Sequence, residues 1–440
     1  MSNNRYSFLT WFSVLATFFF VVSGCKPSSN IVFVSDAEAP VVALASNAPK
    51  NPPVKAERDE SQPEAEASAV FRTYPYRTPN DEGLAIVGLL GPAPETLIIP
   101  SQIDGEPVRC VWVEAFENCS NLKRVKFSEG LHTIEREAFS NCGALESVEF
   151  PDSLQTIGEG AFKGCDSLKS VEFPDGVQAI KDFAFQECAS LKRVKFPANL
   201  RELGRWSFSG CKELESVELP EELETIGSDA FSWCVSLPEI KLPRNLVVLG
   251  DRAFMRCNSF TSIETPEKLQ SIGIYAFQSC NSLTEVNFND SLQTIGEGAF
   301  SKCKKIVCLE LPDSLKTIGE YAFYECDSLR NVKFSNSLTS IEGFAFKSCI
   351  SLASAEFPES LQAIGEEAFM CCESLSDVKF SSGLRSIWDC SFSGCPMNRV
   401  EIPEDLPANV ARRIPAKEKI VVRRDAESKS EPDEAASDVE

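Results

Sequence analysis

A single histidine, His132, stands in 440 residues. General acid–base and metal chemistry draw heavily on histidine, so an enzyme built on this chain would have to rely on carboxylates or thiols. An excess of basic residues is also missing: 43 Lys and Arg face 65 Asp and Glu, a net charge of −22. That excludes the basic face a nucleic-acid binder needs, and it excludes docking on anionic lipid by charge alone. No apolar run reaches the length of a comfortable membrane span. There is no P-loop, no G-x-G-x-x-G opening a helix, no H-E-x-x-H and no nucleophile elbow. The sequence therefore offers no catalytic residue, no metal site and no cofactor site.

The N-terminus carries an export pattern. Arg5 gives a short positive start, and Phe8 to Val22 is mostly apolar, ending in Val22-Ser23-Gly24-Cys25. That run has the length of a signal-peptide core. Small residues before a cysteine resemble a bacterial lipobox, which implies a lipoprotein signal peptide over 1–25 with Cys25 lipidated and retained. Each buried CH₂ of a lipid contributes ~0.8 kcal/mol, so more than one chain gives stable anchoring. Residues 26–70 carry Pro27, Pro40, Pro49, Pro52, Pro53 and Pro63 among Ala, Ser, Glu and Lys. Such a segment buries too little to offset its ordering entropy and reads as a disordered tether. Its root-mean-square span would be about 40 Å. The tail at 425–440 is acidic and reads as disordered, and its charge includes Asp425, Glu427, Glu431, Asp433, Glu434, Asp438 and Glu440.

Between these ends the chain repeats. Stepping by 23 residues from Phe116 lands on phenylalanine thirteen times without a slip, ending at Phe392. Three residues after each comes a cysteine, from Cys119 to Cys395, and before each comes Ala, or Ser at Ser207 and Ser391. One unit reads Leu154, Ile157, Gly158, Ala161, Phe162, Cys165, Leu168, Val171, Phe173, Pro174. The alternation Val171-x-Phe173 predicts a strand, which Pro174 ends by removing a ladder donor. Gly158 and its polar neighbours predict a turn into a short helix or 3₁₀ segment. One coil cannot bury its recurrent apolar positions alone, but stacked coils can. The expected fold is an α/β repeat solenoid: 13 coils of 23 residues, with a parallel β-sheet on one face and short helical or 3₁₀ turns. At a strand spacing of about 4.8 Å it would run roughly 60 Å.

The units resemble the BspA-type (Treponema pallidum-type) leucine-rich repeats, L-x-x-I-x-x-x-A-F-x-x-C-x-x-L-x-x-V-x-L-P, over about residues 85–403. No recurrent asparagine follows the strand, so the Asn ladder of commoner leucine-rich repeats is not expected. Residues 71–110 are the expected N-terminal cap, with strands at Leu84-Ala85-Ile86-Val87 and Leu97-Ile98-Ile99. The solenoid proper covers 111–403. Residues 404–424 form the expected C-terminal cap, with a closing helix over 404–414 and a strand at Ile420-Val421-Val422.

Three sets of side chains are candidate sites. The cysteine column offers one thiol per coil, which does not suit a soft-metal site. Neighbouring Cβ atoms at about 4.8 Å are also too far apart for a disulfide, which needs about 3.8 Å. The column reads as small buried side chains filling the turn after Phe. Cys110, Cys308, Cys371 and Cys390 lie off it, and a Cys371–Cys390 bond is conceivable. The residue after the Val position runs Lys126, Glu149, Glu172, Lys195, Glu218, Lys241 and onward with nearly alternating sign, a self-neutralising ladder across in-register strands. His132 reads as a surface residue on a connection. The third set is aromatic. Phe183, Trp206, Tyr275, Tyr321 and Phe344 sit two residues before the repeat Phe, where other coils are mostly polar or small, and Trp233 sits two residues after its own. Grouped on one flank they would anchor a partner, but they could equally just cover an edge.

The resemblance implies an exported, lipid-anchored envelope protein, at the outer membrane or cell surface, acting without catalysis. Its expected partners are the membrane, through the anchor, and a protein or glycoprotein ligand, as in adhesion. A structural or self-associating envelope protein without a specific ligand is the alternative.

Overall fold

A computed structural model describes residues 71–79, 81–415 and 420–423. The signal peptide, Cys25, the tether and the acidic tail lie outside the described residues.

The chain winds as a parallel β-solenoid of about 15 turns, about 23 residues each, with nearly no helix. Coils are numbered here by their repeat phenylalanine, from Phe116 in the first to Phe392 in the thirteenth. A typical coil contributes a three-residue strand such as Ser170–Glu172 and a two-residue strand such as Thr156–Ile157. Most pair in register with the equivalent strands of the next coil, as Val171 with Val194 and Ile157 with Ile180, although the three-residue strands are not paired between coils two and three, eight and nine, or ten and eleven. The solenoid thus has two parallel ladders where the sequence suggested one. The Thr–Ile strand is too short for its alternation to stand out along the chain, and its 23-residue recurrence is what makes it a ladder.

The third side of each coil holds the repeat Phe, and here the expected helical segment does not form. Every repeat Phe from Phe116 to Phe369 donates its N–H to the carbonyl of the residue before the next Phe, as in Phe162 to Ala184 at 2.8 Å. The residues two before and two after each Phe do likewise, as in Phe183 to Arg205 and Glu187 to Ser209. An α-helix needs those N–H groups for carbonyls four residues back in its own turn. Here the neighbouring coil takes them, so the segment is a stack of tight turns joined by a third ladder. Among the described residues the helix is the four-residue Ala408–Ala411 near the C-terminal end of the solenoid.

The core follows from the repeat. The thirteen phenylalanine rings form one continuous stack, with neighbouring centroids 5.0 to 5.7 Å apart and nearly parallel planes. A second column, Phe127, Phe150, Phe173 and Phe196, meets the first edge-on. Aromatic pairs in these geometries contribute about 0.5–1.5 kcal/mol beyond their area. Column thiols from Cys142 to Cys395 each donate an S–H to the carbonyl of the repeat Phe one coil back, at 3.0 to 3.4 Å. The column is therefore more than packing, because it adds a hydrogen bond per coil. Burial pushes the thiols from Cys165 to Cys349 up, to about 12 at Cys188 and Cys303, which keeps them protonated as donors, whereas the hydrogen bond with Cys372 lowers Cys395 at the end of the column. The cysteines among the described residues are all free, Cys371 and Cys390 included.

At the N-terminal end Phe71–Thr78 pairs antiparallel with Asp81–Leu89, which joins the two-residue ladder through Glu106–Val111. His132 is no bystander here. Its Nδ1 lies 2.6 Å from Asp81, whose other oxygen accepts from Arg109 Nε at 3.0 Å. The cluster ties the first coil to the end strands. At the other end Ile420–Arg423 pairs with Arg399–Pro403.

The ladders are interrupted most at coil six. Pro238 replaces a residue whose N–H elsewhere reaches the previous coil, as Glu215 reaches Lys192. Residues 239–242 form no strand, although every other coil has one there. The two-residue ladder breaks once, between Val248–Leu249 and Ser271–Ile272. Pro238 accounts for the first interruption, and nothing in the residues at the junction accounts for the second. The phenylalanine stack and the turn ladder run through both.

Candidate functional site

The strand face is largely self-satisfied. Lys126 pairs with Glu149 at 2.9 Å, and Lys195 with Glu172 and Lys379 with Glu356 repeat the pattern one coil apart. The alternation breaks at coil six, where Lys241 turns to Glu221 at 3.7 Å. A shallow concavity of about 930 Å³ lies over this interruption, lined by side chains of both signs including Glu218, Glu239, Lys241 and Arg244. Among the described residues no group of three or more His, Cys, Asp and Glu is arranged to hold a metal ion.

The turn flank differs. The structure places Phe183, Trp206, Tyr275, Tyr321 and Phe344 in one column and Trp233 in the adjacent one, on the same side of the solenoid. All six have left-handed backbone, with φ between 54° and 62°. That region is uncommon for any side chain, is an outlier for bulky ones, and costs about 1–2 kcal/mol per residue. The turn ladder enforces it, since each of these residues donates its N–H to the next coil, at 2.7 to 3.0 Å. Every coil imposes the same backbone, and the side chain at that point lies outside the phenylalanine stack and varies, although Asp229 there is fully buried.

The flank groups its aromatics into two clusters. In coils four and five Phe183 stacks on Trp206, centroids 6.4 Å apart, with Lys163 5.8 Å from the Phe183 ring. Nearby Trp233, 40% exposed, carries the Arg256 guanidinium 4.2 Å from its ring. In coils ten and eleven Tyr321 stacks on Phe344 at 4.6 Å, and Tyr324 meets Tyr321 edge-on at 5.7 Å. Tyr275 stacks on neither pair, but its hydroxyl donates to Glu297, which ties it to the carboxylates beside the second cluster. The six residues picked out along the chain thus fall into two stacked pairs and two single rings.

The second cluster sits among carboxylates that the sequence reading passed over. Tyr321 is pushed up to about 12 by burial and by Glu320, Glu367, Glu297 and Glu366. Burial, then the carboxylates of Glu297, Glu342 and Glu366, hold Glu320 above the usual carboxylate range. Tyr324 and these glutamates could have been found by reading every column beside the repeat Phe, including the positions one after and three before it.

Comparison with known proteins agrees with this architecture. Residues 102–215, 207–314 and 295–408 match the BspA type leucine rich repeat region, in six copies. No curated protein matches the chain. Among solved structures it is similar to a leucine-rich repeat protein from Bacteroides ovatus, with 29% identity over 80% of this chain and 98% of that one, at a TM-score of 0.63. A leucine rich cell surface protein from Faecalibacterium prausnitzii is 23% identical over 74% of this chain and 94% of that one, at 0.48. The T. pallidum leucine rich repeat protein is 21% identical over 72% and 91%, at 0.21. The matched segments span well over half the chain, and it belongs to the BspA-type leucine-rich-repeat family.

Proposed function

We propose that this chain is a non-enzymatic protein-interaction module of the cell envelope, held at a membrane by a lipid on Cys25, with its turn flank as the contact surface. One observation carries the reading. Six large aromatic side chains occupy left-handed positions outside the phenylalanine core, where each costs backbone energy that a glycine would not. Gly160 and Gly298 show that the column accepts glycine. Ring pairs with Arg or Lys beside them are the composition of binding hot spots. The experiment is a pull-down with the full chain as bait beside a Phe183→Ala/Trp206→Ala and a Tyr321→Ala/Phe344→Ala version. A partner captured by the parent and lost by one double variant supports the flank. Capture that both variants leave intact rejects it. The anchor has its own test: Cys25→Ser should release the protein from membranes, and continued retention would contradict lipidation.

Self-association is the second reading, favoured by the strand Ile420–Arg423. Among the described residues it has a partner on one edge only, and it exposes Val421 and Val422. Such an edge is a template for another chain. Concentration-dependent oligomers, lost on substituting Val421 by lysine, would favour it.

A further inference from the structure

We propose that the turn flank of coils nine to twelve receives a cationic protein segment, laying an arginine or lysine side chain on the Tyr321–Phe344 ring pair. The inference rests on the flank being a contact surface and adds the chemistry of its occupant.

Two independent features point to a cation. The first is the arrangement of ring and carboxylate together, which this flank already fills twice with its own ammonium groups. Lys347 lies 5.1 Å from the Phe344 ring and 2.6 Å from Glu367. Lys302 lies 5.9 Å from the Tyr324 ring and 3.9 Å from Glu325. A cation over an aromatic face beside a carboxylate gains from both the ring quadrupole and the charge. Tyr321 has the same surroundings, with Glu320, Glu297 and Glu366 acting on it, and no ammonium or guanidinium of the described residues lies over its ring.

The second feature is charge left uncompensated. Glu297, Glu320, Glu342 and Glu366 have no ion-pair partner among the described residues. In coils four to seven two flank acids meet a base one coil on, Asp182 with Arg205 and Asp229 with Arg252, each at 2.9 Å, while Asp251 accepts from the backbone N–H of Ile274. Stacked coils bring like charges within a few ångströms, and mutual repulsion in the free protein is relieved when a partner brings the opposite charge. An acidic segment is excluded by the same charges. A neutral glycan would donate hydroxyls to the carboxylates but leave their mutual repulsion in place.

The test uses the full chain and three synthetic probes: hexaarginine, hexaglutamate and a neutral Ser/Gly hexapeptide, with affinity read by calorimetry at low salt. Hexaarginine should bind, and the other two should not. Because the whole protein is acidic, the control is placement: Glu320→Gln/Glu366→Gln should weaken hexaarginine at least about tenfold, and Tyr321→Ala/Phe344→Ala should do the same. Glu215→Gln/Glu218→Gln, an equal charge change on the strand face, should change it less than about twofold. Equal losses in both glutamine pairs, or no binding by the parent, overturn the proposal. If a natural partner is lost with Tyr321→Ala/Phe344→Ala yet is indifferent to Glu320→Gln/Glu366→Gln, the flank remains the contact surface and the cationic occupant is wrong.

Discussion

Coils four to seven and coils nine to twelve share one backbone and carry different chemistry. In the first region Asp182 and Asp229 are each paired to an arginine of the next coil, and Arg256 covers Trp233. In the second, four glutamates gather round a tighter ring pair without a base to meet them. Coil six, whose residues 239–242 form no strand, lies within the first region. The difference teaches how such a solenoid divides its work. The interior column and the turn ladder repeat without exception, so the outward positions on the same turns are released from folding and can diverge coil by coil.

If the interior is shared, breaking it should cost the same on either side. Phe208→Ala and Phe323→Ala each remove a ring fully buried in the stack, and each should cost roughly 3–5 kcal/mol as a large-to-small core change. Urea denaturation checks this. A large loss in one and little in the other would mean that the two regions unfold separately.

The outward column should show a smaller, unequal effect. A Cβ at Gly298 would fall 2.1 Å from Cε1 of Tyr275, whereas at Gly160 the nearest atom is the flexible Glu137 Cγ at 3.2 Å. Both glycines have positive φ, so alanine costs about 1 kcal/mol at either. Gly298→Ala must also swing Tyr275 off Glu297, which adds roughly 1 kcal/mol. Equal destabilisation of the two variants would remove Tyr275 from the described flank.

Coil six offers a gain. Pro238→Glu restores the missing donor and should stabilise by about 0.5–1.5 kcal/mol if the ladder closes. Hydrogen exchange at residues 239–242 should slow. Unchanged exchange there would mean that something other than the proline holds the strand out of the ladder.

The smallest effect separates the two charge patterns by pH. Glu320 is held above its ordinary value, so its contribution to stability is present when it is protonated and is lost as pH rises through the folded-state value. Moving from neutral pH toward the ordinary glutamate range, about 4.3, should stabilise the parent slightly relative to Glu320→Gln. Salt should shrink the gap, because the group is largely solvent-screened. Parallel pH profiles for parent and variant would show that the carboxylates of coils nine to twelve do not repel one another.

Much of this fold was legible along the chain, because a 23-residue register of Phe and Cys has few physical solutions. Val171-x-Phe173 read as a strand, and the strand runs over Ser170–Glu172, ending just before Phe173; the coil stacks with the register its spacing implies. The turns read as helical and are not. Ala161-Phe162 and their neighbours have nothing against helix in their own propensities; the competing partner is a carbonyl 22 residues away, invisible to local pattern. His132 looked superficial for the same reason, since Asp81 lies 51 residues before it. The aromatic column could be picked out by position, but its left-handed backbone could not, since bulky side chains avoid that region unless a neighbour compels it. The glutamates beside Tyr321 were overlooked because acids on a repeat are expected by number, and what matters is which of them lack a base.

Sequence by itself determined that the chain repeats, how long each coil is and which side chains face inward. The recurrence of one apolar pattern leaves stacking as the way to bury it. Tertiary structure alone decided where the backbone N–H groups of each turn go, which thiols donate to which carbonyls, and which outward charges find a partner. Those choices depend on distances between coils of about 5 Å, and a coil's neighbour across that gap is 23 residues away in the chain.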